Sequence, residues 1–213
     1  MPSAPATTVC ARQLGGPSLR LRSSLLVNDD LLIDLGPDIP AASQQHGVSL
    51  ERVRYCLQTH EHDDHLAPVN FLIRGMSLNT GMPRLHFYGT RGAVAKIEHN
   101  LGAWYDATGN LTPEADARLN FATHIIEPFE TLAVGPYRVQ CVHAAHDPSI
   151  VTMLYAIERG GRSLFYGTDT SDIAEATWDA LATAGHRFDV VVLDHTFGVQ
   201  ARNANHMNAE QFR

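Results

Sequence analysis

The densest chemistry in this 213-residue chain lies in Thr59-His60-Glu61-His62-Asp63-Asp64-His65, which directly follows the apolar run Val53, Tyr55, Leu57. On an extended run entering a loop, His60 and His62 stand two residues apart and present their imidazoles to one side, where both can grip one cation. Asp64 and His65 come after the turn. They can reach a second ion about 3.5–4 Å from the first, because carboxylate and imidazole suit zinc and related transition metals. Asp63 or Asp64 is also placed to cap the apolar helix expected through Leu66, Val69, Leu72 and Ile73.

The elements that must hold these groups alternate strands and helices. Leu19 and Leu21 alternate with charged residues, and Leu25 to Val27 and Leu31 to Leu35 flank an Asn28-Asp29-Asp30 turn. With Val53 to Leu57 they predict a β-meander feeding one parallel step. A helix through Met76, a strand from Leu85 to Tyr88 and a helix from Arg91 to Leu101 follow. Residues 102–122, with Gly102, Gly109, Asn110 and Pro113, break this alternation and predict an inert surface insertion or a lid. In the second half, hairpins are expected from Thr131 to Val134 with Tyr137 to Val142, and from Val151 to Ile157 with Ser163 to Tyr166 around Gly160-Gly161. A helix from Asp172 to Ala184 and a strand from Asp189 to Leu193 complete the pattern. Two β-rich halves that each end in helices predict an α/β fold of one domain spanning 1–213, an αββα sandwich.

Composition narrows the function. The chain is 44% hydrophobic and 18% charged, enough to bury one sizeable core. No apolar run approaches ~20 residues, and Met1 to Gly16 lacks a basic stretch followed by an apolar core, so no membrane partner and a cytoplasmic location are expected. A net charge of −7 and a single lysine, Lys96, disfavour nucleic acid as a partner, since phosphate backbones are bound chiefly by Lys and Arg. Cys10, Cys56 and Cys141 lack CxxC spacing, and Cys56 and Cys141 fall in β-like runs that suit buried thiols. His46, His86, His99, His124 and His186 have no ligand partner nearby in sequence and are expected to be structural.

The His60, His62, Asp64, His65 pattern resembles the His-x-His-x-Asp-His signature of the metallo-β-lactamase superfamily, with Thr59 in the usual place before it. The resemblance covers most of the chain. Leu14-Gly15 and Ser23 to Val27 look like its opening strands, and Leu32 to Gly36 like the strand and glycine turn before the signature. His146, Gly167-Thr168-Asp169-Thr170 and Leu193-Asp194-His195-Thr196-Phe197 fall where its later motifs stand. The resemblance implies the αββα architecture, a metal site at one edge, and two divalent ions, zinc foremost with manganese or iron as alternatives. His143 and His146 both follow the strand ending at Val142, and alternation leaves room for one of them as a ligand. The family pattern favours His146, with His143 beside the ligands or purely structural, and it implies that Asp169 bridges the two ions.

Asp194 to Phe197 together with His206-Met207-Asn208 is most similar to the phosphodiesterase branch, that of tRNA 3′-processing endonucleases and phosphoribosyl cyclic phosphodiesterases. There the histidine at the place of His206 approaches the substrate phosphate and Asp194 would hold it. The branch's last metal ligand would lie beyond Arg213, so the chain is expected to lack its C-terminal end. These features predict hydrolysis of a small nucleotide or cyclic ribose phosphate by a metal-bridging hydroxide, with Asp64 orienting it and His206 assisting the leaving oxygen. Arg74, Arg91 and Arg202 could contact phosphate, although a solvated surface role is the expected one for each, and a homodimer is possible by analogy. Two other functions compete: hydrolysis of a lactone, thioester or other acyl substrate by the same centre, and a non-catalytic metal-binding paralogue. A redox diiron protein of this fold would carry glutamate where His62 stands.

Overall fold

In the computed structural model, residues 13–16, 20–76, 81–199 and 204–211 are described. Among the described residues, ten strands form two five-stranded sheets. The first holds β1 (Leu25–Val27), β2 (Leu31–Ile33), β3 (Tyr55–Leu57), β4 (Leu85–Gly89) and β5 (Phe121–Ile125) in chain order. Strands β1 and β2 are antiparallel, and every later neighbour in this sheet is parallel. The second holds β6 (Thr131–Val134), β7 (Tyr137–His143), β8 (Met153–Arg159), β9 (Arg162–Gly167) and β10 (Val190–Leu193). Here only the β9–β10 pair is parallel.

Alternation along the strands builds three apolar layers. Leu31 and Ile33, with Leu57, Val139, Cys141, Met153, Tyr155 and Ile157, fill the space between the sheets. Leu32, Cys56 and Phe87 point the other way, beneath the helices α1 (Ile39–His46), α2 (Val69–Met76), α3 (Arg91–Asn100) and α4 (Pro113–Leu119). On the far face Val142, Leu154, Ala156 and Phe165 meet Leu181 of α5 (Glu175–Thr183). The order is helix, sheet, sheet, helix, as the alternation predicts. The hairpin turn at Gly160-Gly161 has φ of 58° and 74°, which glycine adopts without a Cβ penalty.

Several expectations are corrected. The first half is not a meander with one parallel step but a hairpin followed by three parallel steps. Its extra strand, β5, begins where the segment 102–122 ends. Leu101, Ala115 and Leu119 are buried in the outer layer with Trp104, Tyr105 and Leu111 packed on it. The segment delivers Phe121 to Leu85, the first residue of β4, and so lies at the end of the sheet away from the histidine loop. The helix after the signature starts at Val69, behind Pro68, so neither Asp63 nor Asp64 caps it. Asp63 bonds Lys96 instead. Leu21 and residues 13–16 lie outside any strand, and Leu19 and Cys10 fall outside the described residues. Cys56 and Cys141 are buried free thiols.

Candidate metal centre

One edge of the sandwich collects the loops that leave β2, β3, β7, β9 and β10. The amide of Met153, at the start of β8, bonds the Thr59 carbonyl at 3.0 Å, and the Tyr155 hydroxyl bonds the Gln58 carbonyl at 2.5 Å. The two sheets are therefore tied together directly beneath the histidine loop.

That loop rests on Asp34. This residue follows β2, is fully buried and has φ of 63°, a left-handed conformation that aspartate tolerates better than most residues. One carboxylate oxygen accepts from the Thr59 amide (2.8 Å), the Thr59 hydroxyl (2.8 Å) and the Gln58 amide nitrogen (3.0 Å). The other faces His65 Nδ1 at 2.8 Å. Gln58 also donates to the carbonyls of His60 and His65. From the outside, Lys96 Nζ grips the Glu61 carbonyl and the Asp63 carboxylate, each at 2.6 Å. Gly36 completes the seat: a Cβ there would stand 2.7 Å from the Asp64 carbonyl oxygen. Gly36→Ala is accordingly expected to displace the loop and weaken divalent-ion binding about 10–100-fold, the usual effect of disturbing ligand support, as read by metal titration.

Within this frame the ring nitrogens converge. His60 Nε2 lies 3.0 Å from His62 Nδ1, which lies 3.4 Å from His146 Nε2. His65 Nε2 is 2.6 Å from one oxygen of Asp169, and that oxygen is 3.7 Å from His60 Nε2. Asp169 follows β9 with φ of 53°. Asp64 stands at the rim, its side chain 55% exposed and its carboxylate 3.7 Å from His65 Nε2. Among the described residues three groups offer donor atoms suited to one ion: His60, His62 and His146; His60, His65 and Asp169; and Asp169, Asp194 and His206.

These separations fit a cation. Two imidazole nitrogens bound tetrahedrally to zinc at 2.0–2.1 Å stand about 3.4 Å apart, close to the spacings of the first group. The electrostatics agree. Burial, with His65 beside it, drives the His60 pKa down to about 2, so this ring offers a lone pair. Burial would also lower His65, but hydrogen bonds to Asp169 and Asp34 outweigh it and lift its pKa to about 10. Burial opposes ionisation of Asp169, yet His65 holds its pKa down at about 2. A buried carboxylate so placed calls for positive charge, whether from a proton on His65 or from a cation.

Beside the cluster His206 Nδ1 meets Asp194 Oδ2 at 2.7 Å, and its ring lies 5.0 Å from that of His146. The hydrogen bond to Asp194 raises the His206 pKa. Asp194 is buried and also accepts from the Thr196 amide (2.7 Å) and the Thr170 amide (3.3 Å). His146 rather than His143 enters the donor groups; its Nδ1 faces the Asn205 carbonyl at 2.9 Å. Arg74 is structural, because its guanidinium donates to the carbonyls of Leu119, Asn120 and Pro83. Arg202 falls outside the described residues. His86 and His124 bond each other at 3.1 Å, and His186 is held by Glu158 and Gln140. Asp34 is the residue that sequence reasoning missed. Its signal is a lone carboxylate closing the run Leu31-Leu32-Ile33, where burial demands partners.

Comparisons with known proteins agree with this architecture. The chain superposes on the crystal structure of a diphosphatase from the PhnP family with a TM-score of 0.65 and 18% identity, covering 92% of this chain and 68% of that one. The metallo-beta-lactamase fold protein YhfI from Bacillus subtilis gives a TM-score of 0.65 and 20% identity over 90% of this chain and 72% of the other. Human tRNase Z, short form, gives 0.63 and 16% over 89% and 79%. Among curated proteins none is detectably similar in sequence. The sequence pattern of the beta-lactamase superfamily domain matches residues 30–212. With that match over most of its length, on a sandwich whose loops gather the histidines and aspartates at one edge, the chain belongs to the beta-lactamase superfamily.

Proposed function

We propose that this chain is a metal-dependent phosphodiesterase acting on a small nucleotide or cyclic ribose phosphate. Superfamily membership and the histidine and aspartate cluster support a metal-dependent hydrolase. The phosphodiester reading rests on one observation above all, the His206–Asp194 pair beside that cluster. An imidazole held by a buried carboxylate and raised in pKa suits an anionic oxygen better than a neutral acyl group. Among proteins sharing the fold, one is a diphosphatase and another a tRNase by name.

Two divalent ions are assigned here, zinc foremost with manganese and iron as alternatives. His60, His62 and His146 would hold one, Asp64 and His65 would hold the other, and Asp169 would serve both. When bound they supply Lewis acidity toward phosphoryl oxygens and lower the pKa of water toward neutrality. Asp64, at the exposed rim, orients the attacking water and accepts its proton on a carboxylate oxygen. Asp194 fixes the His206 ring through Nδ1, so that Nε2 is the nitrogen that meets the substrate and protonates the departing oxygen. A small substrate is part of this reading, since the one lysine of the chain, Lys96, is engaged with the histidine loop.

General acid catalysis is typically worth 10²–10⁴-fold. His206→Ala is therefore expected to slow a cyclic nucleotide, whose alkoxide needs a proton, by about 10²-fold or more. Bis(p-nitrophenyl) phosphate, whose phenolate departs unprotonated, should slow far less. Equal rates for wild type and variant on both substrates, alongside faster turnover of a lactone or thioester, would favour an acyl hydrolase instead.

A further inference from the structure

A second concentration of charge lies at the opposite end of the sandwich. Strand β8 starts beside the Thr59 carbonyl and runs seven residues to Arg159, roughly 20 Å away at about 3.3 Å per residue. There the Gly160-Gly161 turn, the start of β7 and the loop after α5 border a cleft of about 560 Å³. Arg138, Arg159, Arg162 and Arg187 line it, against the single carboxylate of Glu158. Asp30 and Asp189 stand beside Arg159 and Arg162, so four arginines meet three carboxylates here in a chain of net charge −7.

Ion pairing among these residues does not account for the gathering. Arg138, Arg159 and Arg162 each engage a protein acid through Nη1 alone, with Glu158 at 3.1 Å, Asp30 at 3.3 Å and Asp189 at 3.0 Å. Arg159 also donates to the Tyr137 hydroxyl at 2.9 Å and lies over the Tyr137 ring, whereas the remaining donors of Arg138 and Arg162 have no acid partner among the described residues. Arg187 is exposed, and its guanidinium has no acid partner among the described residues. Exposed pairs of this kind add little stability, whereas like charges brought to one cleft repel. The glycines on its border are open, since a Cβ on Gly160, Gly161 or Gly185 would meet nothing within 4 Å.

We propose that this cleft binds an oligophosphate anion, of the kind carried by a nucleoside di- or triphosphate. Guanidinium forks match phosphate oxygens in pairs, and the forks of Arg138, Arg162 and Arg187 around one cleft fit a chain of phosphates better than a single one. The proposal needs neither turnover nor the metal centre, so either reading can fail alone.

Calorimetric titration of the full chain with tripolyphosphate tests it, run beside R162S/R187S, R187E alone, and Asp169→Ala. Expected are a dissociation constant at least about tenfold weaker in both arginine variants, a wild-type value in Asp169→Ala, and tighter binding to tripolyphosphate than to sulfate. R187E alters an exposed side chain with no acid partner among the described residues and so separates lost binding from lost folding. Unchanged affinity in R187E, loss of binding in Asp169→Ala, or equal affinity for sulfate would each overturn the proposal. The first two outcomes would put the anion elsewhere, and the third would reduce the cleft to general ionic attraction.

Discussion

Replacing Asp169 by alanine is expected to slow hydrolysis of bis(p-nitrophenyl) phosphate by at least about 10³-fold, equivalent to ~4 kcal/mol of barrier. The reason is positional. Asp169 faces His65 at 2.6 Å and His60 at 3.7 Å through one oxygen, and His206 at 3.8 Å through the other. It is the carboxylate common to two of the three donor groups. Removing it takes away the negative charge that two neighbouring cations would share. Asp169→Asn keeps the shape while removing the charge, and should lose nearly as much. Steady-state kinetics with saturating zinc or manganese give the comparison; retention of more than about a tenth of wild-type kcat by either variant would exclude Asp169 from the reaction centre.

Asp34→Ala should damage stability and metal binding together. The substitution strips a buried acceptor from the Thr59 amide, the Thr59 hydroxyl, the Gln58 amide group and His65 Nδ1 at once. Breaking a buried, fully bonded charged network typically costs about 3–5 kcal/mol, which for a domain of this size lowers Tm by roughly 10 °C. Divalent affinity should fall about 10–100-fold, because His65 loses the partner that sets its ring. Asp34→Asn, which retains an acceptor for the Thr59 groups, should recover much of the stability and little of the affinity. Thermal unfolding and metal titration of the two variants separate these effects. A Tm unchanged in Asp34→Ala would show that the network is not holding the loop.

The legible part of this protein was the part written in local pattern. Apolar runs in Tyr137 to Val142, Met153 to Ile157 and Leu164 to Tyr166 marked strands that are buried on both faces, and Gly160-Gly161 marked the hairpin between the last two. Strand β5 was not legible, since Phe121-Ala122-Thr123-His124-Ile125 mixes apolar and polar residues on both faces and follows a short helix. Helix α1 escaped because Ile39 to His46 buries only Ile39 and so shows no apolar stripe. In the site, His60, His62 and His65 were readable from spacing, whereas His146, Asp169 and His206 needed the family resemblance to join them. Asp34 stayed hidden because its partners Gln58, Thr59 and His65 come from the loop after β3, 24 to 31 residues later, a distance that no local periodicity encodes.

The most direct test of the central claim is metal analysis of the purified chain joined to anomalous diffraction from crystals grown with zinc or manganese. The account predicts two equivalents per chain, one peak among His60, His62 and His146 and a second beside His65, Asp64 and Asp169. A single peak away from these residues, or none in protein saturated with either ion, would contradict it.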